Sequence, residues 1–188
     1  MVIGRDRGKM RADLRGTTVR PPAVAGRFYA GDPARLRTQV SDLFADVAAS
    51  SNVIPKALIA PHAGYVYSGR VAAAAFAALR DRQTITRVVL IGPAHYVRVP
   101  GIAAPTVDAF ETPLDHVPVD AEALSEIADL QFVIRADTPH APEHSLEVEL
   151  PFLQAALGSF QAVPLLVGDA APQDVADALR RLWADRRR

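Results

Sequence analysis

The chain has 188 residues, 49% hydrophobic and 22% charged, an ordinary make-up for one soluble globular domain. Lys and Arg number 21, as do Asp and Glu, so no net field points to nucleic acid or a membrane surface. With no cysteine, disulfides, thiolate ligands and cysteine nucleophiles are excluded. The longest apolar run, Val71 to Leu79, is far short of the ~20 residues of a spanning helix, and the N-terminus lacks a signal-peptide core. The expected location is the cytoplasm.

Met1 to Arg20 carries six basic residues against Asp6 and Asp13 with weak periodicity. It reads as a disordered basic tail, with the domain running over 21–188. Asp32-Pro33 predicts a helix start, Asp as N-cap and Pro at the first helical position. Leu36, Val40, Leu43, Phe44 and Val47 follow at helical spacing. Lys56 to Ala60 predicts a buried strand ending at Pro61, and Ser68 to Leu79 an Ala-rich helix capped by Ser68. Arg87 to Ile91 predicts a second buried strand, so the three segments predict a right-handed βαβ unit.

Ile102 to Val107 is a further strand candidate. Asp120 caps a predicted helix reaching Ala128, and Phe132 to Ile134 is a brief strand candidate. A helical face of Leu146, Leu150, Leu153 and Leu157 is interrupted by Pro151, which predicts a kink or a broken start. Phe160 to Val167 predicts a strand. Pro172 opens a last helix with Val175, Leu179, Leu182 and Trp183 on one face. The fold class is α/β, a mostly parallel sheet flanked by helices.

Two histidines stand in equivalent places, each just past an apolar strand and a proline: ALIA-Pro61-His62 and VVLI-Gly92-Pro93-Ala94-His95. In one parallel sheet both imidazoles would emerge at the carboxyl edge, where open α/β sheets bind ligands. Prolines stiffen such turns, as a metal site requires. By spacing alone, a metal pair and two histidines that merely cap strand ends are equally good readings. His144 lies among Glu143, Glu147 and Glu149; a carboxylate there can orient the imidazole, or the cluster is a solvated acidic helix start. Asp108, Glu111 and Asp115 are loop carboxylates that could each supply an oxygen ligand. His116 reads as a surface residue and His140 is undecided. Tyr65 and Tyr96 follow the two histidine turns and either line a substrate pocket or pack as rim aromatics. No Walker A, GxGxxG or GxSxG signature is present.

Five ordered blocks carry a resemblance: Arg20 to Tyr29 (RPPAVAGRFY), Ala60 to Gly69 (APHAGYVYSG), Gly92 to Tyr96 (GPAHY), Thr112-Pro113-Leu114 with Val119-Asp120, and Glu143 to Leu153 (EHSLEVELPFL). They resemble the Memo family, the protein B-like component of the AmmeMemoRadiSam system. The resemblance implies a fold similar to class III extradiol dioxygenases and metal-dependent, non-haem chemistry. It implies His62 and His95 as metal ligands and His144 as a site residue; neutral imidazoles suit iron, copper or zinc, and in an enzyme His144 would act as proton donor or base. Tyr65 and Tyr96 would face an unknown small-molecule or peptide substrate, and a partner would come from a radical-SAM-linked pathway. The alternatives are a non-catalytic peptide- or protein-binding module and an inactive short member. Against the family pattern the chain reads as C-terminally truncated, because members continue with another strand, a Ser-Asp-His block and a cysteine resembling a third ligand.

Overall fold

The computed structural model describes residues 16–47, 55–80, 82 and 84–184. Residues 1–15 of the expected tail and the terminal arginines 186–188 lie outside the described residues. The tail boundary at Arg20 is corrected: Val19–Arg20 form strand β1, and Arg20 is 4% exposed. A guanidinium that finds several buried acceptors belongs to the core whatever the charge of its neighbours in sequence.

Helix α1 (Pro33–Ala45) begins as predicted, with the Asp32 carboxylate accepting from the Arg35 backbone N–H at 2.8 Å. Helix α2 (Tyr65–Phe76) starts three residues before Ser68. Its entry is pinned by the Tyr65 N–H donating to the Phe28 carbonyl at 2.7 Å, while the Ser68 hydroxyl donates back to the Ala63 carbonyl. Strand β2 (Arg87–Pro93) is followed by β3 (Ile102–Ala104), β4 (Ala109–Glu111), β5 (His116–Pro118) and helix α3 (Ala121–Glu126), capped by Asp120 as expected. Strand β6 (Val133–Arg135) precedes a 3₁₀ turn over Glu147–Glu149. Pro151 sits in the first turn of helix α4 (Leu150–Leu157), where its missing N–H costs nothing, so the predicted break is a helix start. Strand β7 (Gln161–Val167) and helix α5 (Pro172–Ala184) complete the described elements. On α5 Ala178 and Leu182 are buried, whereas Trp183, assigned to the same face, is 51% exposed.

The fold is α/β, with strands in two mixed sheets. One has the order β2-β7-β3-β6, in which β2/β7 and β3/β6 are parallel and β3/β7 antiparallel. The other has the order β1-β4-β5, parallel then antiparallel. The hairpin of β4 and β5 carries no long apolar run, which is why periodicity does not find it. Helices α1, α2 and α4 pack together around Phe152, whose ring lies 5.7 Å from Phe44, 5.5 Å from Phe76 and 4.6 Å from Tyr65. Gly101, at φ +101°, permits the turn into β3; a Cβ there would lie 2.2 Å from the Phe132 carbonyl oxygen.

The predicted strand over Lys56 to Ala60 is not formed. Those residues join no ladder, Ile59 is 98% exposed, and β2 pairs only with β7 among the described residues. The expected βαβ unit is therefore absent; apolar composition alone does not make a strand without a neighbour to pair with.

Arg20 and Glu147 lock the centre. Arg20 Nη1 donates to Glu147 Oε2 at 2.5 Å, and both side chains are removed from solvent. Glu147 also accepts from the Ala23 and Val24 N–H groups and from the Tyr29 hydroxyl at 2.7, 3.0 and 2.6 Å. So many partners offset the desolvation of a buried pair, and removal of one member leaves the other stranded. Arg20→Met is expected to lower the unfolding free energy by about 3–5 kcal/mol in denaturant titration. Loss of the exposed Arg98–Asp169 pair is expected to leave the midpoint unchanged. Burial pushes the Glu149 carboxyl up from 4.5 to about 8. The folded state keeps a proton that the unfolded state releases, so stability falls as pH rises from 4.5 through 8. Glu149→Gln is expected to remove that part of the pH dependence, read as denaturant midpoint against pH.

Candidate metal centre

His95 is delivered by β2. The strand ends at Pro93, and the Ala94 N–H donates to the Val167 carbonyl at 3.0 Å, which holds the exit of the strand against β7. His62 arrives differently from the expectation, from an unpaired segment that turns at Gly64 into α2. His144 comes from the loop before the 3₁₀ turn. That loop lies on the end of β2: the Ser145 hydroxyl donates to the Pro93 carbonyl at 2.9 Å. Gly92 makes room for it, since a Cβ there would stand 2.8 Å from both Ser145 Oγ and Leu146 Cδ2.

The three imidazoles converge. One ring nitrogen from each of His62, His95 and His144 lies within 4.8 Å of the other two. The His95 and His144 rings stack with centroids 4.8 Å apart, and His62 lies 5.3 Å from His95 and 5.9 Å from His144. Phe28 meets the His144 ring edge-on at 4.8 Å. The buried Nδ1 of His144 has no hydrogen-bond partner. Neutral imidazoles suit a transition metal, and three ring nitrogens gathered this closely are a donor set that fits a bound cation. Metal–nitrogen bonds of about 2.0–2.1 Å require the rings to draw closer than they stand here.

One carboxylate underlies the cluster. Glu143, 3% exposed, accepts from the His95 N–H at 2.6 Å, from His95 Nδ1 at 2.9 Å, from the His144 N–H at 2.9 Å and from the Ser145 N–H at 3.0 Å. Burial by itself raises this carboxyl; the hydrogen bonds from the His95 ring and backbone, then from Ser145 and His144, outweigh it and hold the group at about 2. Burial lowers His62, His95 lowers it further, and Glu143 opposes. His144 is lowered by burial first, against the pull of Glu143 and with the push of His95 and His62. Both directions favour the unprotonated ring a metal needs.

The other candidates lie elsewhere. Tyr65 is in the core, 5% exposed, its hydroxyl donating to the Val148 carbonyl at 2.7 Å, so it lines no cleft. Tyr96 is 57% exposed, with its ring 5.8 Å from that of His144. Asp108 binds Thr18, and Asp115 turns the β4–β5 hairpin; neither they nor Glu111 belong to the histidine cluster. His140 is buried with Nε2 3.1 Å from the Ala103 carbonyl, and His116 is half-buried rather than a surface residue. A cavity of about 1340 Å³ lies between α1, the hairpin and the end of α4, and none of the three histidines lines it. The sequence reading missed Arg20; it allowed a carboxylate of the acidic cluster to orient His144, whereas the ring nitrogen that Glu143 takes is that of His95. Pro61 and Pro93 gave the two turns, but nothing local couples His95 to a carboxylate 48 positions away.

The family model described as "Memo-like protein" matches residues 20–188. A MEMO1 family protein of Ignicoccus hospitalis is 39% identical over 185 residues, covering 89% of this chain and 65% of that protein. One from Thermoplasma volcanium is 37% identical, over 87% of this chain and 62% of its own length. One from Methanopyrus kandleri is 40% identical, over 78% and 55%. The chain thus spans less than two thirds of the length of these relatives.

The depressed Glu143 carboxyl has a measurable consequence. It stays ionised where the unfolded chain takes up a proton, so its contribution to stability is complete above 4.5 and is lost as pH falls toward 2. Glu143→Gln is expected to lower the denaturant midpoint above pH 4.5 and to flatten its acid limb below that value.

Proposed function

The chain belongs to the Memo-like protein family, and on that premise we propose that His62, His95 and His144 hold one divalent transition metal ion for dioxygenase-like oxidoreductase chemistry. The observation that carries this reading is the convergence of the three imidazoles. Three imidazole ligands would leave positions open for a substrate, as in a catalytic rather than a closed structural site. Iron, copper and zinc all accept such donors. When bound, the metal would supply Lewis-acid or redox chemistry at its open positions.

The chain's own groups do the rest. Glu143 orients His95 and holds the backbone of His144 and Ser145 in place. Phe28 covers one edge of His144. The exposed ring of Tyr96 stands at the rim, where its hydroxyl is free to meet a substrate group. We assign His144, whose ring stacks on that of His95, the further role of giving or taking a proton at the substrate. The substrate is a small molecule or a peptide-borne group that reaches the open side of the cluster.

Anaerobic reconstitution with iron(II), copper or zinc, followed by metal quantification after desalting, tests this. Stoichiometric metal in the natural protein, lost in the His62→Ala, His95→Ala double variant, is the expected result. Equal metal in both, or none in either, contradicts the reading.

A further inference from the structure

We propose that Glu143 is the positioning residue that turns Nε2 of His95 toward the metal, and that Arg20 holds Glu143 in place to do so. This deepens the metal reading of the three histidines and rests on it. Glu143 Oε1 lies 2.9 Å from His95 Nδ1, and the same carboxylate takes the His95 backbone N–H at 2.6 Å, so ring and main chain are gripped together. An ionised carboxylate only accepts hydrogen bonds. The hydrogen of the neutral His95 ring therefore sits on Nδ1, and the lone pair is left on Nε2. An isolated neutral histidine side chain favours hydrogen on Nε2 instead, so this tautomer is imposed by the fold.

The support for Glu143 is remote in sequence. Arg20 Nη2 donates to the Glu143 carbonyl at 2.5 Å, and Arg20 Nε donates to the His140 carbonyl at 2.9 Å. Arg20 is itself fixed by Glu147. The loop that bears both Glu143 and His144 is thus tied at its two ends by one guanidinium, before any ligand is considered.

The two stacked rings end up unlike. Oε1 of Glu143 already accepts from His95 Nδ1, the His144 N–H and the Ser145 N–H. His144 Nδ1 lies 3.2 Å from that oxygen, yet it makes no hydrogen bond. His95 is fixed in one tautomer, and His144 is not. The carboxylate serves one ligand by orientation and the other only by holding its backbone.

Long-range ¹⁵N–¹H correlation spectra of the metal-free protein, at a pH where the rings are neutral, test this without any metal. The expected pattern for His95 is a protonated Nδ1 and an unprotonated Nε2. In Glu143→Ala the pattern is expected to shift toward Nε2–H, and metal affinity to fall 10–100-fold, with thermal melting reporting separately on the fold. His95 with hydrogen on Nε2 in the natural protein overturns the proposal, and that result needs no variant to fold. An unchanged tautomer in Glu143→Ala also overturns it. A natural protein that shows the expected tautomer but binds no metal upholds the positioning by Glu143 and overturns the metal reading alone.

Discussion

Everything at the site hangs on the buried contact of Arg20 with Glu147. The guanidinium uses three nitrogens on three acceptors: the Glu147 carboxylate and the carbonyls of His140 and Glu143. Glu147 in turn gathers two backbone N–H groups of the segment after β1 and the hydroxyl of Tyr29. A pair sealed from water this thoroughly survives only when every polar atom is answered. The result is a rigid join between the start of the domain and the loop that carries His144. Tyr65 adds a third element to the join, because its hydroxyl reaches the Val148 carbonyl while its own N–H is held by Phe28.

From that join the histidines inherit their places. The loop over 143–146 is pressed against the end of β2 by the Ser145–Pro93 hydrogen bond, and Gly92 gives it the space. His95, leaving β2, then meets Glu143. His62, three residues before α2, meets His95. Three imidazoles from three distant stretches are brought together, and burial keeps His62 and His144 toward the neutral form. Such a cluster is poor as a structural device, since stacked rings with an unbonded nitrogen gain little from one another. It is well suited to a cation that would take up their lone pairs.

Much of the fold was legible in the sequence. Asp32-Pro33 and Asp120 announced their helices by capping chemistry that works within four residues. The β-branched run at Arg87 to Ile91 announced a buried parallel strand, and the apolar run at Phe160 to Val167 a strand. Lys56 to Ala60 shared the same apolar composition and formed no strand, because pairing is a property of two segments, and among the described residues no strand pairs with it. The β4–β5 hairpin escaped notice for the opposite reason: three-residue strands carry too little pattern to see. Arg20 was hidden inside a basic stretch, although its block, RPPAVAGRFY, was among those that carried the family resemblance. The histidines themselves were found, by their prolines and by family pattern. Their shared carboxylate was not assignable, because Glu143 is linked to His95 through space rather than along the chain.

The most direct measurement is anomalous diffraction from crystals loaded with copper or zinc, collected at the metal's absorption edge. A single strong anomalous peak is predicted within bonding distance of His62, His95 and His144, with Nε2 as the ligating atom of His95. A peak that excludes one of the three histidines, or one that lies away from them, would contradict the account.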